Sequence, residues 1–152
     1  MSSDTSPRTV TLHRVLRAPP RRVYSAFVDA HALARWLPPY GFLAEIDQFD
    51  PVVGGRFHMA FRNFGTGSRH GFGGEFLELE PGRRLRYTDR FDPPGPSGLL
   101  EVTIDLQEVV CGTELRASQS GIPAGIPLEM CLLGWQESLA QLARLVEPEI
   151  PG

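Results

Sequence analysis

The sequence predicts an α+β fold in which a curved antiparallel sheet of about seven strands packs against one long C-terminal helix. Three observations predict it. Apolar residues recur at helical spacing near the C-terminus, apolar and polar residues alternate over most of the preceding chain, and turn residues separate consecutive alternating stretches. Two short helices are expected after the first strand, and one domain is expected over residues 8–147.

The first strand and the two short helices come from the N-terminal part of the chain. A polar tail covers residues 1–7, and a strand rich in branched side chains is predicted over about 8–17. The proline pair at 19–20 ends this strand, and because proline is tolerated in the first turn of a helix, a short helix follows. Asp29 is a candidate N-cap for a second short helix, which another proline pair terminates.

Six more strands are predicted between these helices and the last one. Each is bounded by glycine, proline or polar turn residues. Their predicted positions are about 42–49, 56–64, 70–79, 85–91, 99–106 and 113–120.

The pairing of the central strands predicts which side chains share a face, because a slip of one residue would turn every side chain over. The first hairpin is predicted to pair Asn63 with His70, and the second Glu80 with Arg83. On the outer face this register makes His58 meet Glu75. The predicted inner pairs are Phe61–Phe72, Met59–Gly74, Phe57–Phe76, Phe76–Tyr87, Gly74–Asp89 and Phe72–Phe91.

The long helix is predicted over residues 126–147, with a tail over 148–152. A helix with one strongly apolar face is not stable alone in water, so the sheet must supply the surface that covers it. Gly134 inside this helix needs either close approach to the sheet or a role in shaping a pocket. The residues that form the apolar face are Leu128, Leu132, Trp135, Leu139, Leu142 and Val146.

Composition excludes several classes of function. The net charge of −3 provides no broad basic field for nucleic acid or an anionic membrane, and no apolar run is long enough for a membrane helix or a signal sequence. We therefore expect a cytoplasmic protein. The two cysteines lie 20 residues apart without the close pairs of zinc sites, so neither a metal nor a cofactor is predicted.

Several short motifs, in their order along the chain, resemble one family. They include A-P-P with V-Y-S-A-F, G-G-R-F, P-G-R-R-L-R-Y, G-T-E-L and G-W with L-A-Q-L. Together they resemble the homologues of the activator of heat-shock protein 90 ATPase, in the START and polyketide-cyclase (SRPBCC) superfamily, over about residues 8–146. The resemblance implies the helix-grip fold and a deep, mostly hydrophobic cavity that holds lipids, polyketides or other apolar molecules. The eukaryotic activators carry a chaperone-binding domain ahead of this one, for which this chain has no room, so chaperone activation is not expected.

The inward polar residues are the strongest candidates for a site. An ionised carboxylate that faces an apolar layer is costly, so Asp89 must find a partner, titrate upward or lie in a wet cavity. Gly74 is expected to leave a hole in the inner layer. The candidate ligand-binding residues are Trp36, Phe57, Met59, Phe61, His70, Phe72, Gly74, Phe76, Tyr87, Asp89, Phe91, Gln119, Met130 and Trp135.

Three functions remain open from the sequence. The leading one is binding of a small apolar or amphipathic molecule between the sheet and the last helix. The second is an enzyme of the cyclase or dehydratase kind that uses Asp89 with Tyr87 or His70. The third is a protein-interaction module, either a chaperone partner or a homodimer, which predicts a filled core.

Overall fold

The structure, a computed structural model, describes residues 7–152, so the predicted N-terminal tail up to residue 6 lies outside the described residues. The predicted order of one strand, two short helices, six strands and a long helix is confirmed. The elements are β1 Thr9–Leu16, α1 Pro20–Val28, α2 Ala30–Trp36, β2 Phe42–Phe49, β3 Arg56–Asn63, β4 Arg69–Glu80, β5 Arg84–Phe91, β6 Leu100–Val109, β7 Gly112–Ser120 and α3 Leu128–Val146.

The seven strands form one antiparallel sheet in the order β1-β7-β6-β5-β4-β3-β2. Its inner face is the one that packs against α3, and its outer face is the opposite one. The curved sheet, the two short helices after β1 and the long C-terminal helix together form the helix-grip fold, as the sequence predicts.

The first short helices begin where the sequence places their caps. Pro20 is the first residue of α1, where the missing N–H of proline costs no helical hydrogen bond. The side chain of Asp29 accepts a hydrogen bond from the backbone N–H of Ala32 at 3.0 Å and caps α2. The α2 helix can therefore begin only two residues after α1 ends.

Helix α3 is held to the segment after α2 by side-chain hydrogen bonds. Ser138 Oγ donates to the carbonyl oxygen of Leu37 at 2.6 Å. Gln141 Nε2 donates to the carbonyl oxygens of Trp36 at 2.9 Å and Pro38 at 2.6 Å. These bonds satisfy carbonyl groups at the end of α2 and fix where α3 lies along the sheet.

The β3–β4 register differs from the prediction by two residues, which leaves each side chain on its predicted face. The cause lies in the turn, because Asn63 Oδ1 accepts hydrogen bonds from the backbone N–H groups of Gly65 at 2.9 Å and Thr66 at 3.1 Å. This cap closes the loop between Asn63 and Ser68. The observed pairs are Phe61–His70, Met59–Phe72 and Phe57–Gly74.

The β4–β5 register is confirmed at Phe76–Tyr87 and Phe72–Phe91, but not at the turn. Glu80 pairs with Arg84 rather than with Arg83, because the register shifts between Phe76 and Glu78. Such a shift inserts one extra residue into one strand. On either side of Gly74 and Asp89 the register is the predicted one, with Gly73 opposite Arg90 and Phe76 opposite Tyr87, so these two residues are aligned as predicted.

Candidate functional site

The site begins with a row of side chains that crosses four strands. Gln119 of β7 pairs with Val102 of β6, Val102 pairs with Tyr87 of β5, and Tyr87 pairs with Phe76 of β4. Paired residues point to the same face of a sheet, and alternate residues along a strand share that face. Asp89, two residues after Tyr87, therefore also points toward α3.

A cavity of about 180 Å³ lies between this row and α3. It brings together nine of the predicted site residues: Phe57, Met59, Phe61, Phe72, Phe76, Tyr87, Asp89, Gln119 and Trp135. The other lining residues are Phe27, Leu33, Leu37, Pro39, Phe49, Leu85, Val102, Cys131, Gly134 and Ser138. The wall is thus mostly aromatic and aliphatic, with a few polar groups set into it.

Aromatic contacts give the sheet side of the cavity its shape. The ring centroid of Phe57 lies 5.5 Å from that of Phe76 and 5.6 Å from that of Tyr87. Phe61 and Phe72 form a second, edge-on pair at 4.8 Å. These distances are in the favourable range for aromatic pairs, so the rings hold one another in place and leave the space beside them open.

Trp135 and Gln119 join the helix side of the cavity to the sheet side. The indole Nε1 of Trp135 donates a hydrogen bond to Gln119 Oε1 at 3.1 Å. An indole N–H can only donate, so the bond fixes the Gln119 amide with its oxygen toward Trp135.

Asp89 is the carboxyl group of the cavity, and burial shifts its pKa strongly. Its Oδ1 atom is buried and has no hydrogen-bond partner among residues 7–152. Burial raises the pKa of Asp89 from 3.8 to about 7, and a hydrogen bond from the backbone N–H of Arg90 offsets part of this rise. Burial and the nearby Asp89 charge also raise the pKa of Tyr87, so its phenol stays neutral.

Cys131 is the other titratable group in the wall. Burial raises the pKa of its thiol above the ordinary value, and the charge of Arg8 offsets part of this rise. A protonated thiol is a poor nucleophile, so the cavity offers no activated cysteine at neutral pH.

Five predicted site residues do not line the cavity. Trp36 is fully buried in the core, where its Nε1 donates to the carbonyl oxygen of Ala26 at 2.8 Å. Phe91 packs against the core outside the cavity wall. Two others, His70 and Met130, are exposed to solvent, and the fifth is Gly74.

Gly74 was expected to open the inner layer, but the structure gives it another role. A Cβ at Gly74 would overlap the carbonyl oxygen of Thr88, so the residue permits close approach of two strands and leaves no hole. The open space lies instead at Gly134 of α3, where a Cβ would meet no atom within 4 Å. Of the two explanations for Gly134, the structure therefore supports pocket volume.

The family model described as "Activator of Hsp90 ATPase homolog 1-like protein" matches residues 17–147. The chain belongs to this family. The comparison with curated proteins found no match.

Several solved structures share the fold of this chain. A crystal structure of a protein from Chromobacterium violaceum superposes with a TM-score of 0.91 at 55% identity, covering 93% of this chain and 98% of the other. A protein from Rhodobacter sphaeroides superposes with a TM-score of 0.80 at 22% identity, covering 90% of each chain. One from Nitrosomonas europaea superposes with a TM-score of 0.78 at 23% identity, covering 97% of this chain and 98% of the other. At identities this low, the last two show the fold alone.

This member of the activator family also carries a polar cluster on the outer face. His58 does not meet Glu75 as predicted, because the two-residue offset pairs it with Gly73. Its Nδ1 lies 2.7 Å from Asp47 Oδ1 and its Nε2 lies 2.7 Å from Asp92 Oδ2. Hydrogen bonds to Asp92 and Asp47 raise the pKa of His58.

The outer cluster is not arranged as a metal site. The two ring nitrogens of His58 point in opposite directions, so Asp47 and Asp92 lie on opposite sides of the ring. Across residues 7–152, no three His, Cys, Asp or Glu side chains are placed to hold one metal ion. In the same part of the chain, no helix has the length and apolar character needed to cross a membrane.

Proposed function

We propose that this protein binds a small, largely apolar molecule that carries one polar group, in the cavity between the sheet and α3. The observation that carries the proposal is the unfilled space of about 180 Å³ inside a core whose neighbouring side chains are almost fully buried. Interiors normally pack to near-crystalline density, so a void of this size lined by aromatic rings is a feature to be explained. Membership of a fold family with internal cavities supports the same conclusion.

The size of the cavity limits the ligand. An engineered apolar cavity of roughly 150 Å³ binds one benzene molecule, whereas pockets for drug-sized ligands measure roughly 300–1,000 Å³. A cavity of about 180 Å³ therefore suits one aromatic ring with a short substituent. Lipids and multi-ring polyketides, which the resemblance also implied, would have to extend beyond the space that the lining residues enclose.

Calorimetric titration with 2-phenylethanol tests the proposal. The wild-type protein should bind this probe, and Gly134→Leu should abolish binding because the new side chain fills the space beside residue 134. Gln136→Leu adds a leucine at an exposed position of the same helix and should leave binding unchanged. Equal binding by both variants, or a wild type that binds neither 2-phenylethanol nor its amine analogue 2-phenylethylamine, would contradict the proposal.

The natural ligand can be sought directly. Native mass spectrometry of the protein purified from its own host should show a bound species with a mass suited to a single-ring compound. Gly134→Leu purified in the same way should lack that species.

Acid–base catalysis is the second candidate function, and one observation favours it. A carboxyl group with a pKa of about 7 can give and take protons near neutral pH, and Tyr87 lies on the same face two residues away. His70 does not fit this role because it is exposed and outside the cavity. Loss of turnover with ligand affinity kept in Asp89→Asn would support catalysis, whereas parallel loss of affinity would support binding.

The remaining expectations stay predictions. A protein-interaction module was predicted to have a filled core. The space between the sheet and α3 is not filled, so we do not propose a chaperone partner. We retain the cytoplasm as the predicted location. The homodimer stays an open prediction, to be checked by sedimentation.

A further inference from the structure

The carboxyl group of Asp89 has no opposite charge within its cavity. Of the lining residues, none is an arginine or a histidine. The titratable side chains that share the cavity with it are Tyr87 on its own strand and Cys131 from α3. The other side chains that the neighbouring strands and helices contribute there, such as Phe76, Val102 and Leu33, are not titratable.

Two of the three arginines of the same strand pair with carboxylates on the outer face, and the third, Arg90, lines that face with His58 and Glu75. Arg86 donates to Glu101 on the outer face, with Nη2 to Oε1 at 2.6 Å. Arg84 Nη1 lies 3.3 Å from Asp105 Oδ1. Because side chains alternate along β5, these cations point away from the cavity and cannot reach Asp89.

A buried carboxylate without a partner is costly, and leaving one oxygen unpaired adds to the cost. The backbone N–H of Arg90 donates one hydrogen bond to this carboxyl group, but Oδ1 of Asp89 has no hydrogen-bond partner among residues 7–152, so part of that cost remains. The group therefore needs either a proton or a cation. A ligand that carries the cation would satisfy the carboxylate and fill the space in one event.

We propose that the ligand is a small arylalkyl amine, whose ammonium group pairs with Asp89 while its single ring lies among the aromatic side chains of the cavity. This inference rests on the proposed function and names the chemical class of its ligand. The volume of about 180 Å³ sets the one-ring limit.

The aromatic walls also favour a cation. The ring centroids of Phe57, Phe76 and Tyr87 lie 5.5 to 6.2 Å from one another. Tyr87 is two residues from Asp89 on the same strand, β5. The negative face of an aromatic ring attracts an ammonium group within about 6 Å of its centroid. A ligand with a carboxylate or a carbonyl oxygen in the same place would instead face an ionised Asp89 with like partial charge.

The test compares two probes that have the same number of heavy atoms. 2-Phenylethylamine, cationic at neutral pH, and 2-phenylethanol, neutral, are titrated into the wild type and into Asp89→Asn at pH 8. The wild type should bind the amine at least about tenfold more tightly than the alcohol, which corresponds to about 1.4 kcal/mol. Asp89→Asn should still bind the alcohol and should lose the preference for the amine.

A second measurement needs no variant. Between pH 6 and pH 8 the affinity of the wild type for the amine should rise, because the pKa of Asp89 is about 7 and only the ionised form pairs with an ammonium group. Titration at pH 7 in buffers of different ionisation enthalpy should show release of protons on amine binding and none on alcohol binding.

The outcomes separate this inference from the proposed function. Equal or tighter binding of the alcohol by the wild type, or a preference for the amine that survives in Asp89→Asn, overturns the amine assignment while ligand binding in the cavity stands. A wild type that binds neither probe overturns both. If Asp89→Asn does not fold, as judged by circular dichroism, the pH series and the proton release decide the question.

Discussion

The indole nitrogen of Trp135 lies 3.1 Å from Oε1 of Gln119 and connects the last helix to the last strand at the wall of the cavity. Both residues line the cavity, and their bond joins α3 to the sheet across it. The hydrogen bond between Trp135 and Gln119 therefore helps to hold the two sides of the cavity at a fixed distance.

Replacing Gln119 with leucine should destabilise the protein by about 1–2 kcal/mol, because the indole N–H of Trp135 would lose its acceptor in a mostly buried place. Urea unfolding monitored by tryptophan fluorescence measures the change. Gln136→Leu makes the same chemical change at an exposed site and should be within about 0.5 kcal/mol of wild type. Equal effects of the two substitutions would show that the hydrogen bond contributes nothing.

Gly134→Ala should raise the free energy of unfolding by up to about 1 kcal/mol. Alanine is the better helix former, and its methyl group would meet no atom within 4 Å. Gly74→Ala is the contrasting control, because its methyl group would overlap the carbonyl oxygen of Thr88 and should destabilise the sheet. Chemical denaturation of both variants checks the prediction, and a destabilised Gly134→Ala would mean that the space beside this residue is not open.

Asp89 should make the protein less stable as the pH rises from about 4 to about 7. The folded state holds a proton on this group up to a pKa of about 7, whereas the unfolded state releases it near 3.8. The folded state thus binds more protons in that window, so stability is highest below it and falls as the proton is lost. The rise in pKa corresponds to at most about 4 kcal/mol.

Asp89→Asn should remove that pH dependence and raise the free energy of unfolding at pH 8 by about 2 kcal/mol, less than the limit because the amide is also short of partners. Thermal unfolding from pH 4 to pH 8 measures both effects. A wild-type profile that stays flat across the window, or one that rises with pH and is unchanged in the variant, would contradict the burial of this carboxyl group.

His58 should add a second, smaller dependence at higher pH. Both of its ring nitrogens face carboxylate oxygens, so the ring carries two protons in the folded state, and its pKa is raised above 6.5. Its contribution is fully present below about pH 6.5 and is lost as the pH rises through the folded value. Because His58 and Asp92 are partly exposed, we expect about 1 kcal/mol or less.

His58→Gln should therefore lower stability at pH 6 and leave it nearly unchanged at pH 9. The loop after β5, which Asp92 ties to the sheet, should show faster amide hydrogen exchange in this variant at pH 6. His31→Gln, at an exposed position of α2, is the matched control and should show neither effect. A His31→Gln profile identical to that of His58→Gln would show that the outer cluster does not stabilise the fold.

The sequence by itself determined the elements, their order and the face that each one buries. The spacing of apolar residues carries that information. It repeats every two residues in a strand and about every 3.6 residues in a helix, because local backbone geometry sets which side chains share a face. The inward direction of Asp89 and the cap at Asp29 were predicted on the same local grounds.

Only the tertiary structure decided which buried residues line a cavity and which fill the core. Trp36 and Phe27 both come from apolar helical faces, yet only Phe27 reaches the cavity. A cavity is the space left between two surfaces, so it depends on where α3 lies on the sheet. That position is fixed by bonds such as Ser138 to Leu37, which join residues 101 positions apart.

The turn after β3 shows the same division at smaller scale. Alternation set the faces of β3 and β4, but the side chain of Asn63 set their register by closing a tighter loop. The role of Gly74 followed from that register and from the approach of Thr88, neither of which a local pattern contains. The missing hydrogen-bond partner of Asp89 Oδ1 among residues 7–152 is likewise a property of the assembled core, because it depends on which side chains the surrounding elements bring there.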